Sequence, residues 1–530
     1  MQHMLPMEIA VKQHTPTDLE FKIHYRLNPD IQKERFICDF FLFIPETLEV
    51  RKETLPPVVV LNQIKDYIRH SAAELPLSEL VDNDCDESPL KRLKTTSEEL
   101  KKHYSNIVGK RKDNKKKKTP HGAVYFEEYK NYIAYELKTL VNIFRVQLRN
   151  TRNDISKKIN SQTDNEDALH KLHTVENHIR VVLDYYRSIA QNIMDIFEFD
   201  EEICKQIRWT DESLSLITEE FATKLHSVLH YQKKYKSSDE NLIKLIKDEH
   251  KYRKKKGYSS VPDLKDEEQN EYVVYHKGLL KKWSQEVLYL NKTPRSSPER
   301  ITDIVAGIAA GLAMGFAVMA TVFMSRILPS SGITWGLIVV LIYIFKDRIK
   351  DGVKGVFSGV LRKIIADRVE DLIEPASKIK TGKSSTRLRY ENENNLPPNI
   401  IRLRNKEHPN IHPQAQREQV MSIRKVINLN SSKLTTQHAR HVSLTEIIRI
   451  NIERWLVNMD RPRKIIPVVK DGKIQYMKAV RVYHINCVIR LGYNGENKKH
   501  EYLRYRVVIN RKGIKRITPV HESEKISGYF

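Results

Sequence analysis

Apolar and polar positions alternate with period two near the start of the chain. Leu19, Phe21, Ile23, Tyr25 and Leu27 interleave with Glu20, Lys22, His24 and Arg26, which gives a half-buried strand one apolar face. Phe36–Ile44 is apolar on both parities except at Asp39, as a more deeply buried partner strand requires. Val58–Leu61 reads as a further strand and Ile64–Ala73 as a helix, so 8–78 is expected to be a small α/β domain. Residues 79–120 pass from an acidic patch (Asp82, Asp84, Asp86, Glu87) to the basic run Lys115–Lys118. So few apolar side chains in a charged stretch predict a disordered linker.

From 121 to 292 the period becomes helical. Ile133, Leu137, Leu140, Phe144 and Leu148 share one face. Leu172, Val175, Ile179, Val182, Tyr186, Ile189, Ile193 and Ile196 follow alternating spacings of three and four, an a/d seam. Leu214, Ile217, Phe221, Leu225 and Val228 start a third face behind the cap-like Thr210-Asp211, and Glu268–Leu290 makes a fourth helix. Such seams predict an antiparallel bundle within one chain, with a homo-oligomeric coiled coil as the alternative.

Ile304–Met324 carries no charge. As a helix it reaches ~32 Å, the depth of a hydrocarbon core. After a turn at Arg326, Pro329, Ser330 and Ser331, the apolar run Gly332–Phe345 reaches ~21 Å and spans only if Lys346 and Arg348 snorkel. The expectation is a transmembrane helical hairpin over 301–346. Gly307, Gly311 and Gly315 recur every fourth residue and clear one helix face for close packing. The first partner for that face is the second helix of the hairpin; another copy of the chain is the alternative. Over 347–373, Ile349, Val353, Val356, Val360, Ile364 and Leu372 oppose Lys350, Lys354, Arg362, Lys363 and Arg368, a basic amphipathic helix suited to an anionic leaflet.

Residues 374–440 read as a basic linker, and 441–520 as a helix plus an antiparallel β meander. Ser443 and Glu446 form a capping-box pattern before a helix over Leu444–Met459. Lys464–Val469 and Lys473–Met477 flank Asp471-Gly472, and Val480–Gly492 and Glu501–Asn510 flank Asn494-Gly495, two hairpin signals. Leu503, Tyr505, Val507 and Ile509 should pack on the preceding helix, with Tyr502, Arg504 and Arg506 facing water. The fold class is therefore an α+β multidomain membrane protein, mostly α. It combines the small N-terminal α/β domain, the long helical bundle, the two-helix membrane hairpin and the C-terminal helix-plus-sheet domain.

Charge sharpens this picture. The chain carries 91 basic and 67 acidic side chains, net +24. About 32 of the basic and 13 of the acidic residues lie in 374–530, so most of the excess follows the hairpin. Arg490, Arg504, Arg506, Lys512, Lys515 and Arg516 are the candidate contacts to an anion or nucleic acid. Basic flanks on both sides of the hairpin put both termini in the cytoplasm by the positive-inside rule. The four cysteines (Cys38, Cys85, Cys204 and Cys487) have no zinc-ligand spacing. His408 and His412, or His438 and His441, have helix-compatible ligand spacing without a third ligand nearby. Ser377–Ser384 ends like a phosphate loop but lacks its first glycine. No catalytic residue, cofactor or metal ligand is nominated. The sequence favours a membrane-anchored cytoplasmic scaffold or sensor whose basic domain meets anionic lipid or a protein partner. The alternatives are a membrane-permeabilising effector oligomerising through the glycine face, and a membrane-tethered nucleic-acid-binding protein.

Overall fold

The computed structural model describes residues 5–520 apart from 29, 112–119, 162–164, 199, 231–234, 296–297, 328–331, 365, 376–377, 406–416, 438–442, 462 and 494–498. The N-terminal elements are β1 (Met7–Gln13), β2 (Asp18–Arg26), β3 (Glu34–Pro45), α1 (Pro57–Gln63) and β4 (Lys65–His70). A helical region follows with α2 (Leu77–Leu80), α3 (Pro89–Arg111), α4 (Pro120–Ser161), α5 (Asn165–Ile196), α6 (Glu201–Leu229), α7 (Lys236–Lys256) and α8 (Glu267–Gln285). Next come β5 (Asn291–Pro294), the apolar helices α9 (Pro298–Ile327) and α10 (Ile333–Ile364), β6 (Arg368–Ile373), β7 (Lys380–Glu391) and α11 (Pro398–Asn405). The chain ends with β8 (Glu418–Leu429), α12 (Ser431–Gln437), β9 (Ser443–Asn451), α13 (Glu453–Leu456), β10 (Arg463–Lys470), β11 (Lys473–Val480), β12 (Tyr483–Tyr493), β13 (Lys499–Asn510) and β14 (Gly513–Pro519). The chain is α+β, with antiparallel sheets and a long helical region.

Two large sheets carry most of the β structure, and β10 and β11 form a third, two-stranded one. One large sheet has four strands in the order β1-β2-β9-β4, the other eight in the order β14-β13-β12-β3-β8-β7-β6-β5. The predicted period-two face of β2 is buried, with Leu19, Phe21, Ile23 and Tyr25 packed against Phe36, Phe40, Cys487 and Ile489 of the larger sheet. Phe21 and Phe40 meet at 4.6 Å between ring centroids. The sheets also touch at one edge. Gly513 there has φ +116°, and a Cβ on it would lie 2.2 Å from the Pro16 carbonyl oxygen, so only glycine fits.

Buried charges link the same two sheets. Lys425 on β8 contacts Asp66 on β4 and Glu446 on β9, the latter at 3.0 Å. Lys292 on β5 reaches Asp66 at 2.5 Å, and the Tyr25 hydroxyl donates to Glu446 at 2.6 Å. Burial pushes the Glu446 carboxyl up. Burial pulls the other way on Lys425, but its two carboxylate partners win and hold it charged. Losing one member of such a set strands its partners without compensation, at a cost of ~3–5 kcal/mol.

The helical seams meet each other. Ile133, Leu137, Leu140, Phe144 and Leu148 share a core with Leu172, Ile179, Val182, Tyr186 and Leu225. A polar hub fixes the register of α5, α6 and α7. Asp211 accepts from Arg187 at 3.1 Å and from Tyr252 and Tyr258 at 2.7 Å each. That hub corrects the cap expected at Thr210-Asp211. The start of α6 is instead capped by Asp200, whose carboxylate accepts from the Ile203 amide.

Other expectations change more. Pro57 opens a helix over the valines read as a strand, and the following residues form β4. The expected linker holds α3, with Leu90, Leu93 and Leu100 buried; Lys115–Lys118 lie outside the described residues. The linker expected over 374–440 supplies β7 and β8, which are interior strands. Leu444–Met459 starts as strand β9 and not as a helix, because β2 and β4 pair with it on both sides and Lys425 and Tyr25 satisfy Glu446. The separate amphipathic helix over 347–373 does not exist as such: α10 continues to Ile364, and 368–373 is β6. The apolar face of β12 and β13 packs on the four-stranded sheet, not on a helix. Residues 8–78 therefore do not form a sheet of their own, since β3 lies between β8 and β12.

Candidate membrane-contact site

Strand direction locates the apolar end of the molecule. In the eight-stranded sheet every pair is antiparallel, so β12, β8 and β6 run one way and β3, β7 and β5 the other. The last residue of β5 and the first residues of β6 and β12 therefore share one end. Helices α9 and α10 leave from β5 and β6, and the hairpin β10–β11 leads into β12. Across the register, Arg368 lies level with Thr386, Lys425, Cys38 and Leu491. β12 thus begins eight residues before the level of Arg368.

Both hairpins are apolar on the outside. Ala306–Ile327 of α9 is 22 residues long and, by length and composition, is the one described helix able to cross a membrane. Ile308, Leu312, Met319 and Phe323 are more than half exposed on it. The second span expected from the sequence is not supported: the uncharged part of α10, Ile333–Phe345, reaches ~20 Å before Lys346 and Asp347. Lys346 lies 4.2 Å from the Tyr343 ring centroid, a cation resting on its own aromatic neighbour. The intervening turn lies outside the described residues.

The glycine face points away from the hairpin partner. Ala309, Ala313 and Ala317 are buried on α9, the helix packed along α10, where Ile342 is buried in turn. Gly307, Gly311 and Gly315 sit two residues earlier, about 200° around the helix, and a Cβ at any of them would meet nothing within 4 Å. The expected glycine contact with the second helix is thus an alanine contact.

The β hairpin turns at Asp471 (φ 50°) and Gly472 (φ 72°), as a two-residue hairpin turn demands. All but one of its strand residues are exposed. Ile465, Val469, Ile474 and Tyr476 share one face through their pairing, at 62, 73, 65 and 75% exposure. Arg463, Lys464, Lys470, Lys473 and Lys478 surround them, against the single acid Asp471.

The basic residues singled out in the sequence do not form one open patch. Arg490 is held by Asp39 at 2.6 Å. Arg504 is buried, donating to the Leu403 carbonyl and to Asn486, and burial with Arg506 and Arg404 nearby pulls it down to about 10. Helix α11 accounts for this: Ile400 joins Phe41, Phe43 and Val488 in a second small core on the face expected to be open. Arg506 is half-buried, and burial and Arg516 lower it. Lys512, Lys515 and Arg516 are exposed around the β13–β14 turn.

One group of side chains could hold a metal. His226 and His230, one turn apart at the end of α6, both aim Nδ1 at Asp239 of α7, at 2.5 and 3.3 Å. The two imidazoles and the carboxylate also satisfy one another as hydrogen-bond partners. His408, His412, His438 and His441 lie outside the described residues, as does Ser377. The missed signal was pattern in a short segment: eight exposed apolar residues beside five cations in 463–480 fit neither a core strand nor a solvated one. No family model, curated protein or solved structure matches the chain.

Proposed function

We propose that the protein is a membrane-anchored scaffold or sensor, held by α9–α10 and steadied by the β10–β11 hairpin lying on the anionic leaflet. One observation carries this reading: two exposed apolar hairpins, one helical and one β, leave the same end of one sheet. Water is a poor solvent for both. A two-stranded hairpin has unpaired backbone edges, so it belongs at the headgroup level and not in the hydrocarbon core. Its five cations suit that level, at ~1 kcal/mol each beside an anionic surface. In this reading the apolar helices enter and leave the bilayer from the cytoplasmic face, the side that the basic flanks favour.

Alkaline carbonate extraction of membranes from cells making the full chain tests the anchor. The chain is expected to stay in the pellet. Val318→Arg with Val322→Arg, each costing ~2.5–3.5 kcal/mol at mid-bilayer, should move it to the supernatant. Release of the unmodified chain would end the reading.

A second reading, an oligomerising effector, has its own support in the glycine face that α10 leaves uncovered. Small residues on a lipid-facing helix allow a second copy to approach closely.

A further inference from the structure

A cleft of about 1310 Å³ separates the helical bundle from the outer face of the four-stranded sheet. Its floor is Tyr67 and Arg69 of β4 with Ile447 and Arg449 of β9. Its walls come from α4, α6 and α8.

The charge on this surface is lopsided. Arg145, Arg149 and Arg152 recur at helical spacing along one side of α4, and Lys281 and Lys282 face them from α8. The two lining acids are already taken: Glu220 pairs with Lys224, and Glu286 with Lys138 at 2.7 Å. Arg449 is taken as well, by Glu20 at 2.7 Å. Among the described residues, Arg69, Arg145, Arg149, Lys281 and Lys282 make no ion pair. The cavity of about 730 Å³ beside α3 differs, because its cations Lys91 and Arg92 are paired with Asp86 and Glu136.

Two donors on the residues that line the cleft, Arg145 Nε and Trp283 Nε1, are buried without an acceptor. Burial also presses on the Arg145 charge, lowering its pKa. Trp283 stands edge-on to Trp209 with 5.6 Å between ring centroids.

We propose that this cleft binds an organic polyphosphate, with the Arg145 and Arg149 guanidinium groups and Lys281 and Lys282 taking the phosphoryl oxygens. Guanidinium forks match phosphate geometry and keep their charge at any cellular pH. The cations converge on one concavity between two layers, which suits a compact ligand better than a nucleic-acid strand that needs a continuous track. Nucleoside polyphosphates and inositol polyphosphates share this chemistry. The proposal does not depend on the membrane reading.

Calorimetric titration of the detergent-solubilised full chain with pyrophosphate, ATP and inositol hexakisphosphate is the test. Saturable one-to-one binding of at least one of them, with Kd below ~100 μM, is expected. ATP binding best points to a nucleotide stacked on the tryptophans, and inositol hexakisphosphate binding best to a headgroup-like ligand. Arg149→Gln with Lys281→Gln changes two exposed side chains and should weaken binding at least ~10-fold, as should Arg145→Gln. Lys244→Gln with Lys247→Gln, exposed on α7 and outside the cleft lining, should leave it unchanged. The proposal falls if none of the three binds at ~1 mM, if the cleft variants bind like the parent, or if an RNA oligomer binds and none of the three displaces it.

Discussion

Glu176 lies on α5 with Oε1 buried and out of reach of any donor, and His173 3.8 Å from its other oxygen. Burial pushes its pKa from about 4.5 up to about 7. The sign follows from the direction. The carboxyl is tolerated when protonated, so its contribution is intact below pH 4.5 and is lost as pH rises through about 7. Glu176→Gln should therefore raise the unfolding temperature at pH 8 and leave it unchanged at pH 4. About 1–2 kcal/mol at pH 8 is expected, discounted for the water that still reaches the group. Equal effects at both pH values would refute this origin. At the residue scale the sequence misleads most about charge. Arg490 and Arg504 stand on the predicted polar face, but Asp39 and the Leu403 carbonyl, which hold them, come from distant segments. Nothing local marks Asp39 as the partner of Arg490, and nothing local ties Arg145 to Lys281.

At the scale of elements, what could be read depended on how local the cause is. The seams of α4 and α5 follow from spacing alone, and each is buried where expected. The turn at Asp471-Gly472 follows from backbone chemistry alone. The segment 443–451 went the other way, because its capping-box pattern is weaker than a strand partner on each side. Within α9, small residues every fourth position occur twice over, as glycines and as alanines, and spacing cannot choose which row meets α10. The structure's choice makes the glycine row testable. A Cβ at Gly307, Gly311 or Gly315 meets nothing within 4 Å in the monomer, and Gly307→Leu, Gly311→Leu and Gly315→Leu improve helix propensity by up to ~1 kcal/mol each. Helix content should hold, while an oligomer built on that face should dissociate in crosslinking or in gel filtration in mild detergent. An oligomer of unchanged size would remove the effector reading.

For the whole molecule, the decisive contacts are the ones no window of sequence contains. β3 is flanked by β8 and β12, and β9 is flanked by β2 and β4. The helical bundle, by contrast, closes over neighbouring segments. A chain ending at Asn405, without β8, β9 and β12–β14, should therefore keep slow amide exchange in α4–α6 and lose it in β3. Protection of β3 in that truncation would contradict the pairing. The same arrangement bears on the order of events during synthesis. Phe36–Ile44 emerges first, and its partner Gln419–Ile427 is made about 380 residues later, or ~20–80 s at ribosomal speed. The apolar helices α9 and α10 are made during that interval. The central strand of the larger sheet thus waits, unpaired and aggregation-prone, until both apolar helices have been made. A nascent chain of this kind needs cover for that strand while it waits, so its yield should rise with the supply of a chaperone that binds exposed apolar strands.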